Sequence, residues 1–168
     1  MDFTIRTARP EEYAALGDLT ARVYLDDDLV AFGAEDPYLD RLRDVAGRAA
    51  DPGVVILTAE AEGLLLGQVT FAEPGSSMCD IAGPDEAEFR MLAVAPEARG
   101  RGVGEALVRA CEERARTLPG VRALVLSTTR DMVGAHRIYR RLGFIRTPER
   151  DWTPFAEMDP LHTYRLAF

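Results

Sequence analysis

The sequence predicts one mixed α/β (α+β) domain, with about seven strands and about four helices in the order strand, two helices, three strands, helix, strand, helix, two strands. Three observations carry that expectation. Apolar residues alternate with polar ones in some stretches and recur at helical spacing in others, and the two kinds of stretch follow each other along the chain. The 168 residues are 47% hydrophobic and 29% charged, enough for a full core without disulfides to hold it. No linker, internal repeat or low-complexity run divides them, so the domain is expected to span residues 1–168.

Phe3 to Ala8 alternate apolar and polar, and Pro10 with Glu11 and Glu12 opens a helix reaching about Val23. An acidic, irregular loop from Leu25 to Pro37 leads to a second helix over Tyr38 to Ala50. Gly53 to Ala59 and Leu64 to Phe71 read as strands joined by the hairpin turn Glu60-Ala61-Glu62-Gly63. Pro74 to Ser77 and Gly83 to Glu86 punctuate a loop before a strand over Glu88 to Val94. Beyond Pro96, Val103, Leu107, Ala110, Cys111 and Leu118 share one face of a helix that Pro119-Gly120 ends. Val121 to Leu126 is a buried-type strand, Met132 to Leu142 a helix closed by Gly143, and Phe144-Ile145 and His162 to Phe168 are the last strands.

Composition excludes several classes. The longest apolar run is far short of a membrane span, and no basic segment followed by an apolar one opens the chain, so a cytoplasmic protein without a membrane partner is expected. A formal charge of −8 argues against nonspecific nucleic-acid binding. Cys79 and Cys111 lack the spacing of a zinc site, so no metal is expected. All 20 basic residues are Arg, and Lys and Asn are absent, which fits a GC-rich genome and rules out a catalytic Lys or Asn.

The sharpest local signal is Val94-Ala95-Pro96-Glu97-Ala98-Arg99-Gly100-Arg101-Gly102-Val103-Gly104, a strand feeding a glycine-rich turn that opens a helix. Such a turn aims free backbone N–H groups at one spot, where the helix dipole adds positive charge, and suits a phosphate or pyrophosphate. A Walker loop would need a lysine, and the dinucleotide fingerprint GxGxxG is not met by Gly100, Gly102 and Gly104, which read GxGxG.

With these residues the chain resembles the GNAT N-acetyltransferase superfamily, whose central motif is Arg or Gln, two residues, Gly, one residue, then Gly or Ala. Arg99, Gly102 and Gly104 fill it. The strand Glu88 to Val94 and Pro96 precede it as in that family, and Ala135, Tyr139 and Gly143-Phe144 match its downstream signature. The resemblance implies a central mixed, largely antiparallel sheet and transfer of acetyl from acetyl-CoA to a primary amine on a small molecule or a protein terminus. It places the cofactor where the motif strand and the next strand splay apart. The backbone of Leu92, Ala93 and Val94 would pair with the pantetheine arm, and the amides from Arg99 through Gly100, Arg101, Gly102 and Val103 to Gly104 would hold the pyrophosphate. Tyr139 matches the tyrosine that hydrogen-bonds or protonates the sulfur.

An amine must also lose a proton, and Glu88 is the candidate acceptor, with bulk-linked water as the alternative. Strand alternation expects Glu88, Arg90 and Leu92 on one face. Met132 stands where relatives often carry an asparagine that contacts the cofactor, and Ser127, Thr128 or Thr129 could take over that bond. His136 reads as an exposed polar residue. The acidic segments Tyr24 to Tyr38 and Glu73 to Glu86, with Trp152 and Phe155 from Arg150 to Phe155, would build an anionic, partly aromatic pocket for a cationic amine acceptor. Two further expectations stay open: a homodimer, common among such proteins, for which Leu161 to Phe168 would offer a strand edge, and an acyl-CoA-binding regulatory module without turnover.

Overall fold

The computed structural model describes residues 2–168. Alternation builds β1 (Thr4–Thr7), and Pro10 starts a 3-10 turn that leads into α1 (Tyr13–Asp26). The predicted second helix is two, α2 (Tyr38–Arg43) and α3 (Val45–Ala49), so the chain has five helices rather than four. Asp44 causes the break: its backbone leaves helical geometry and its carboxylate accepts the N–H of Gly47, capping the new helix. The hairpin β2 (Val54–Ala61) to β3 (Leu64–Ala72) turns on two residues only, Glu62 and Gly63, both at positive φ. That is the tight turn whose twist matches paired strands, so Glu60 and Ala61 belong to the strand.

β4 (Glu86–Val94), α4 (Val103–Thr117), β5 (Ala123–Thr128), α5 (Val133–Arg141), β6 (Ile145–Arg146) and β7 (His162–Ala167) complete one sheet of order β1-β2-β3-β4-β5-β7-β6. Every pairing is antiparallel except β4 with β5. β7 lies between β5 and β6, so it is not the free edge that the dimer expectation used.

The sheet separates two apolar cores. Phe71, Phe89, Leu107, Cys111 and Tyr139 lie in one, beneath α4 and α5. Leu16, Leu39, Leu42, Ile56 and Met91 lie in the other, beneath α1, α2 and α3. Among the described residues no helix is long and apolar enough to cross a membrane, and no three His, Cys, Asp or Glu side chains gather to hold a metal ion.

Candidate functional site

β4 and β5 run side by side only through Glu86/Ala123, Ala87/Leu124 and Glu88/Val125, although they continue to Val94 and Thr128. Past Glu88 the two strands part. On its other side β4 stays paired with β3, through Ala93 and Val94. The β4 edge facing β5 is thus left with backbone donors and acceptors that an extended, amide-bearing arm can satisfy as an added strand would.

A bulge accompanies the parting. Gln68 pairs with Ala93 but Thr70 with Arg90, so Met91 and Leu92 together oppose one residue of β3, and Met91 sits at φ 58°. The extra residue shifts the alternation. Ala87, Phe89 and Leu92 face the α4 core, whereas Met91 faces the α1 core. Leu92 therefore does not share a face with Glu88 and Arg90, because the expected two-residue period fails at Met91.

The turn after β4 reaches α4 through Gly100 at φ 75° and Gly102 at φ 83°, a left-handed region that any side chain strains. Gly102 is the N-cap, so no side chain caps α4 and the first-turn amides of this 15-residue helix keep their dipole end free. Arg99 and Arg101 flank the opening, held by Asp27 at 2.6 Å and Asp2 at 2.8 Å. A Cβ at Gly104 would stand 3.3 Å from Ile138 Cδ1 of α5, so an alanine there would need that side-chain end to give by a few tenths of an ångström.

Tyr139 is 2% exposed, its ring set among Phe89, Phe144 and Tyr164 at centroid distances of 5.9, 5.8 and 5.7 Å. Burial pushes its pKa well above the ordinary tyrosine value, so the hydroxyl keeps its proton at neutral pH. Glu88 is fully buried, and its Oε1 accepts the backbone N–H groups of Asp80, Ile81 and Ala82 at 3.1, 2.9 and 2.9 Å. Burial raises its pKa against the pull of those amides. The carboxylate is occupied in holding the β3–β4 loop instead of standing open toward an acceptor.

His136 is buried, contrary to the exposed position expected, and its Nε2 donates to the Thr129 carbonyl at 2.9 Å. Burial first, with His162 and nearby arginines, lowers its pKa, so it is neutral at pH 7. The Thr129 carbonyl it holds belongs to the segment where an asparagine was missed. Ser127 is occupied by Trp152 Nε1 at 2.9 Å, and Thr128 bonds to Met132 Sδ at 3.4 Å. Thr129 Oγ1 is buried without a partner, and Thr129 is among the residues around a cavity of about 250 Å³. Of the three candidate hydroxyls it is the one without any partner, while Ser127, which accepts from Trp152, also keeps its own O–H to donate.

That cavity lies just past the end of β5, between Asp28 to Ala31, Thr129 to Asp131 and Glu157 to Pro160. Asp28, Asp131 and Glu157 contribute acids to it, while Arg130 pairs with Asp159 at 2.9 Å. Exposed Phe32 and Phe155 stack at 5.8 Å and bridge the loops that carry them. Several other acids of the expected pocket are engaged. Asp80 pairs with Arg90, Asp36 accepts the amides of Phe32 and Tyr38, and Glu86 is gripped by Arg150 at 2.8 Å and Arg165 at 2.7 Å. Sequence reasoning missed Arg48, Gln68 and Arg90, which the structure gathers on the α1 face of the sheet. Arg48 did leave a signal, since it continues the buried stripe Leu39, Leu42, Val45 at three-residue spacing.

The family model for the Acetyltransferase (GNAT) family matches residues 15–144. Mycothiol acetyltransferase of Cellulomonas flavigena is 37% identical over 109 residues, 62% of this chain and 31% of that protein. The chain spans less than a third of the length of the curated relatives it matches. Among solved structures, yncA of Salmonella typhimurium, determined with acetyl-CoA, is similar with a TM-score of 0.73 at 21% identity, over 99% of this chain and 94% of that one. PaiA N-acetyltransferase of Thermoplasma acidophilum, determined with coenzyme A, is similar with a TM-score of 0.72 at 18% identity over the whole of both chains. The family match covers most of the chain, including the strand, turn and helix just described, and the chain therefore belongs to the GNAT acetyltransferase family.

Proposed function

We propose that this chain is an N-acetyltransferase that moves an acetyl group from acetyl-CoA to a primary amine. The observation that carries the reading is the parallel β4–β5 pair that parts after Glu88 and Val125 beside the uncapped start of α4. Backbone groups of Leu92, Ala93 and Val94 would receive the amide-bearing arm. The amides of Arg99, Gly100, Arg101, Gly102, Val103 and Gly104 would hold the pyrophosphate. Acetyl-CoA supplies the acetyl group as a thioester.

In the transfer the acceptor gives up its ammonium proton to water. The neutral amine nitrogen then forms a bond to the acetyl carbon as the C–S bond breaks, loses a second proton, and the thiolate gains one from Tyr139, which regains a proton from solvent. Tyr139, kept protonated by burial, supplies a proton to the sulfur. The second proton from the amine leaves to solvent water, and Glu88 acts as a positioning residue for the loop over the face where the amine arrives. The acids Asp28, Asp131 and Glu157 around the cavity beyond β5 favour an acceptor that approaches as a cation.

Thiol release from acetyl-CoA, measured over amines grouped by charge with calorimetric titration of coenzyme A alongside, tests the reading. Release with one class of amine supports it. Coenzyme A binding without release across the panel would favour a binding module instead, and no binding would refute the cofactor assignment.

A further inference from the structure

α3 places a charge where its stripe calls for an apolar residue. Arg48 is only 5% exposed. Its Nε donates to Thr70 Oγ1 at 3.2 Å and its Nη1 to the carbonyls of Arg41 and Leu42 at 2.5 and 3.2 Å, while its Nη2 is buried with no partner. No carboxylate forms a salt bridge with it among the described residues. Asp44 is the acid on its own helix pair, and that carboxylate is turned to the Gly47 amide at 3.0 Å. Burial accordingly pulls the Arg48 pKa down to about 10. A guanidinium withdrawn from water without a counter-ion is costly, and folded proteins keep one where something binds it.

A cavity of about 280 Å³ adjoins this side chain, lined by Arg41 and Asp44 on one side and by Ser77, Met78 and Met91 on the other. Arg90, next to Met91, donates to the Met78 carbonyl at 3.3 Å and adds positive potential that Asp80 offsets. The cavity reaches the bulge of β4, whose next residues, Leu92 to Val94, form the free edge described above.

We propose that Arg48, with Arg41, forms an anion subsite of the acceptor site, and that the acceptor is an amine that also carries a carboxylate, as an amino acid does. This rests on the acetyltransferase reading above. Nη2, the guanidinium nitrogen left without a partner, can donate to a carboxylate oxygen and give the buried charge the counter-ion it lacks. The amine end then extends toward the β4 bulge at Met91, which lines the same cavity.

The test uses the full chain, Arg48→Met, Arg48→Lys and Arg41→Gln, with α-amino acids paired against their own amides. Wild type is expected to favour the free acids by about tenfold in kcat/KM, and Arg48→Met to raise KM about tenfold more for the acids than for the amides. Arg48→Lys, which keeps the charge and loses the free Nη2 donor, falls between. Arg41→Gln changes an exposed residue and carries the comparison if Arg48→Met does not fold. Independently of turnover, propionate raises the melting temperature of wild type and not of Arg48→Met. Equal use of acids and amides by wild type, equal losses for both in Arg48→Met, or propionate protection that is the same in both proteins would overturn the subsite. Absence of thiol release with every amine, with propionate protection still confined to wild type, would instead overturn the acetyltransferase reading and leave the anion site standing.

Discussion

Gly102 and Gly120 form a matched pair for testing what the turn before α4 does. Both are left-handed, at φ 83° and 77°, and at both an added Cβ meets nothing within 4 Å. An alanine costs the same backbone strain at either place, about 1–2 kcal/mol, which for a domain of this size lowers the melting temperature by roughly 2–8 °C. Their surroundings differ. Gly102 caps the open end of α4, whereas Gly120 lies past its other end, roughly 22 Å along the axis for 15 residues. Gly102→Ala is therefore expected to weaken coenzyme A binding by at least about tenfold in calorimetric titration, through a Cβ and a shifted amide beside the pyrophosphate. Gly120→Ala should lose the same stability and keep its affinity. If the two variants bind coenzyme A equally well, the turn is not the cradle and the cofactor assignment falls with it.

Tyr139→Phe keeps the ring among Phe89, Phe144 and Tyr164, so stability and KM should barely move while kcat drops about 100-fold; turnover within twofold of wild type would remove Tyr139 from the chemistry. Glu88→Gln keeps an acceptor oxygen but loses the charge that three loop amides share, and should cost about 1–3 kcal/mol and speed hydrogen exchange at Asp80 to Ala82. A pH–rate profile that loses its acidic limb in this variant, with the loop still protected, would restore Glu88 as the base. Glu86 is the acid-stability sensor: burial opposes its charge, but Arg150, the Gly83 amide and Arg165 bring its pKa down to about 2 from 4.5. Because the folded value is the lower one, its contribution of roughly 3 kcal/mol is complete above pH 4.5 and is lost as pH falls toward 2. Denaturant midpoints should decline more steeply across that window in wild type than in Glu86→Gln, where Glu12, its pKa also brought down to about 2, still titrates.

The parts of this site that sequence made legible are those that rest on glycine and on period. Gly100 and Gly102 announced a turn that only left-handed residues can make, and the Val103 to Leu118 stripe announced the helix it opens. Residues whose placement depends on a break in period were misread. The face of Leu92 turned over at Met91, a position with no glycine to mark it, since Met91 itself bears the positive φ. Glu88 looked free to act because the loop that occupies it is a contact between segments whose turn residues give no register. The second helix broke at Asp44 because capping by its own side chain outweighed a continuous apolar stripe. His136 was taken for a surface residue because the carbonyl it reaches, seven positions back, lies beyond the helix that carries it.

The bulge at Met91 gives one cause for both halves of the site. An extra residue in β4 increases local twist and bends the strand away from its neighbour. The pairing with β5 ends at Glu88, three residues before it, while the pairing with β3 resumes beyond it at Ala93. The same residue reverses which side chains face which core, so the stretch before it offers Glu88 and Arg90 to the α1 face and the stretch after it turns Leu92 to the α4 face. Such a bulge breaks the ladder and orphans a carbonyl, and here the fully buried Gln68 side chain donates to the Met91 carbonyl in its place. Holding a methionine at φ 58° costs stability that packing elsewhere must offset, and it is kept at the point where β4 leaves β5 and, in the function proposed above, walls the acceptor side while leaving an edge open for the cofactor.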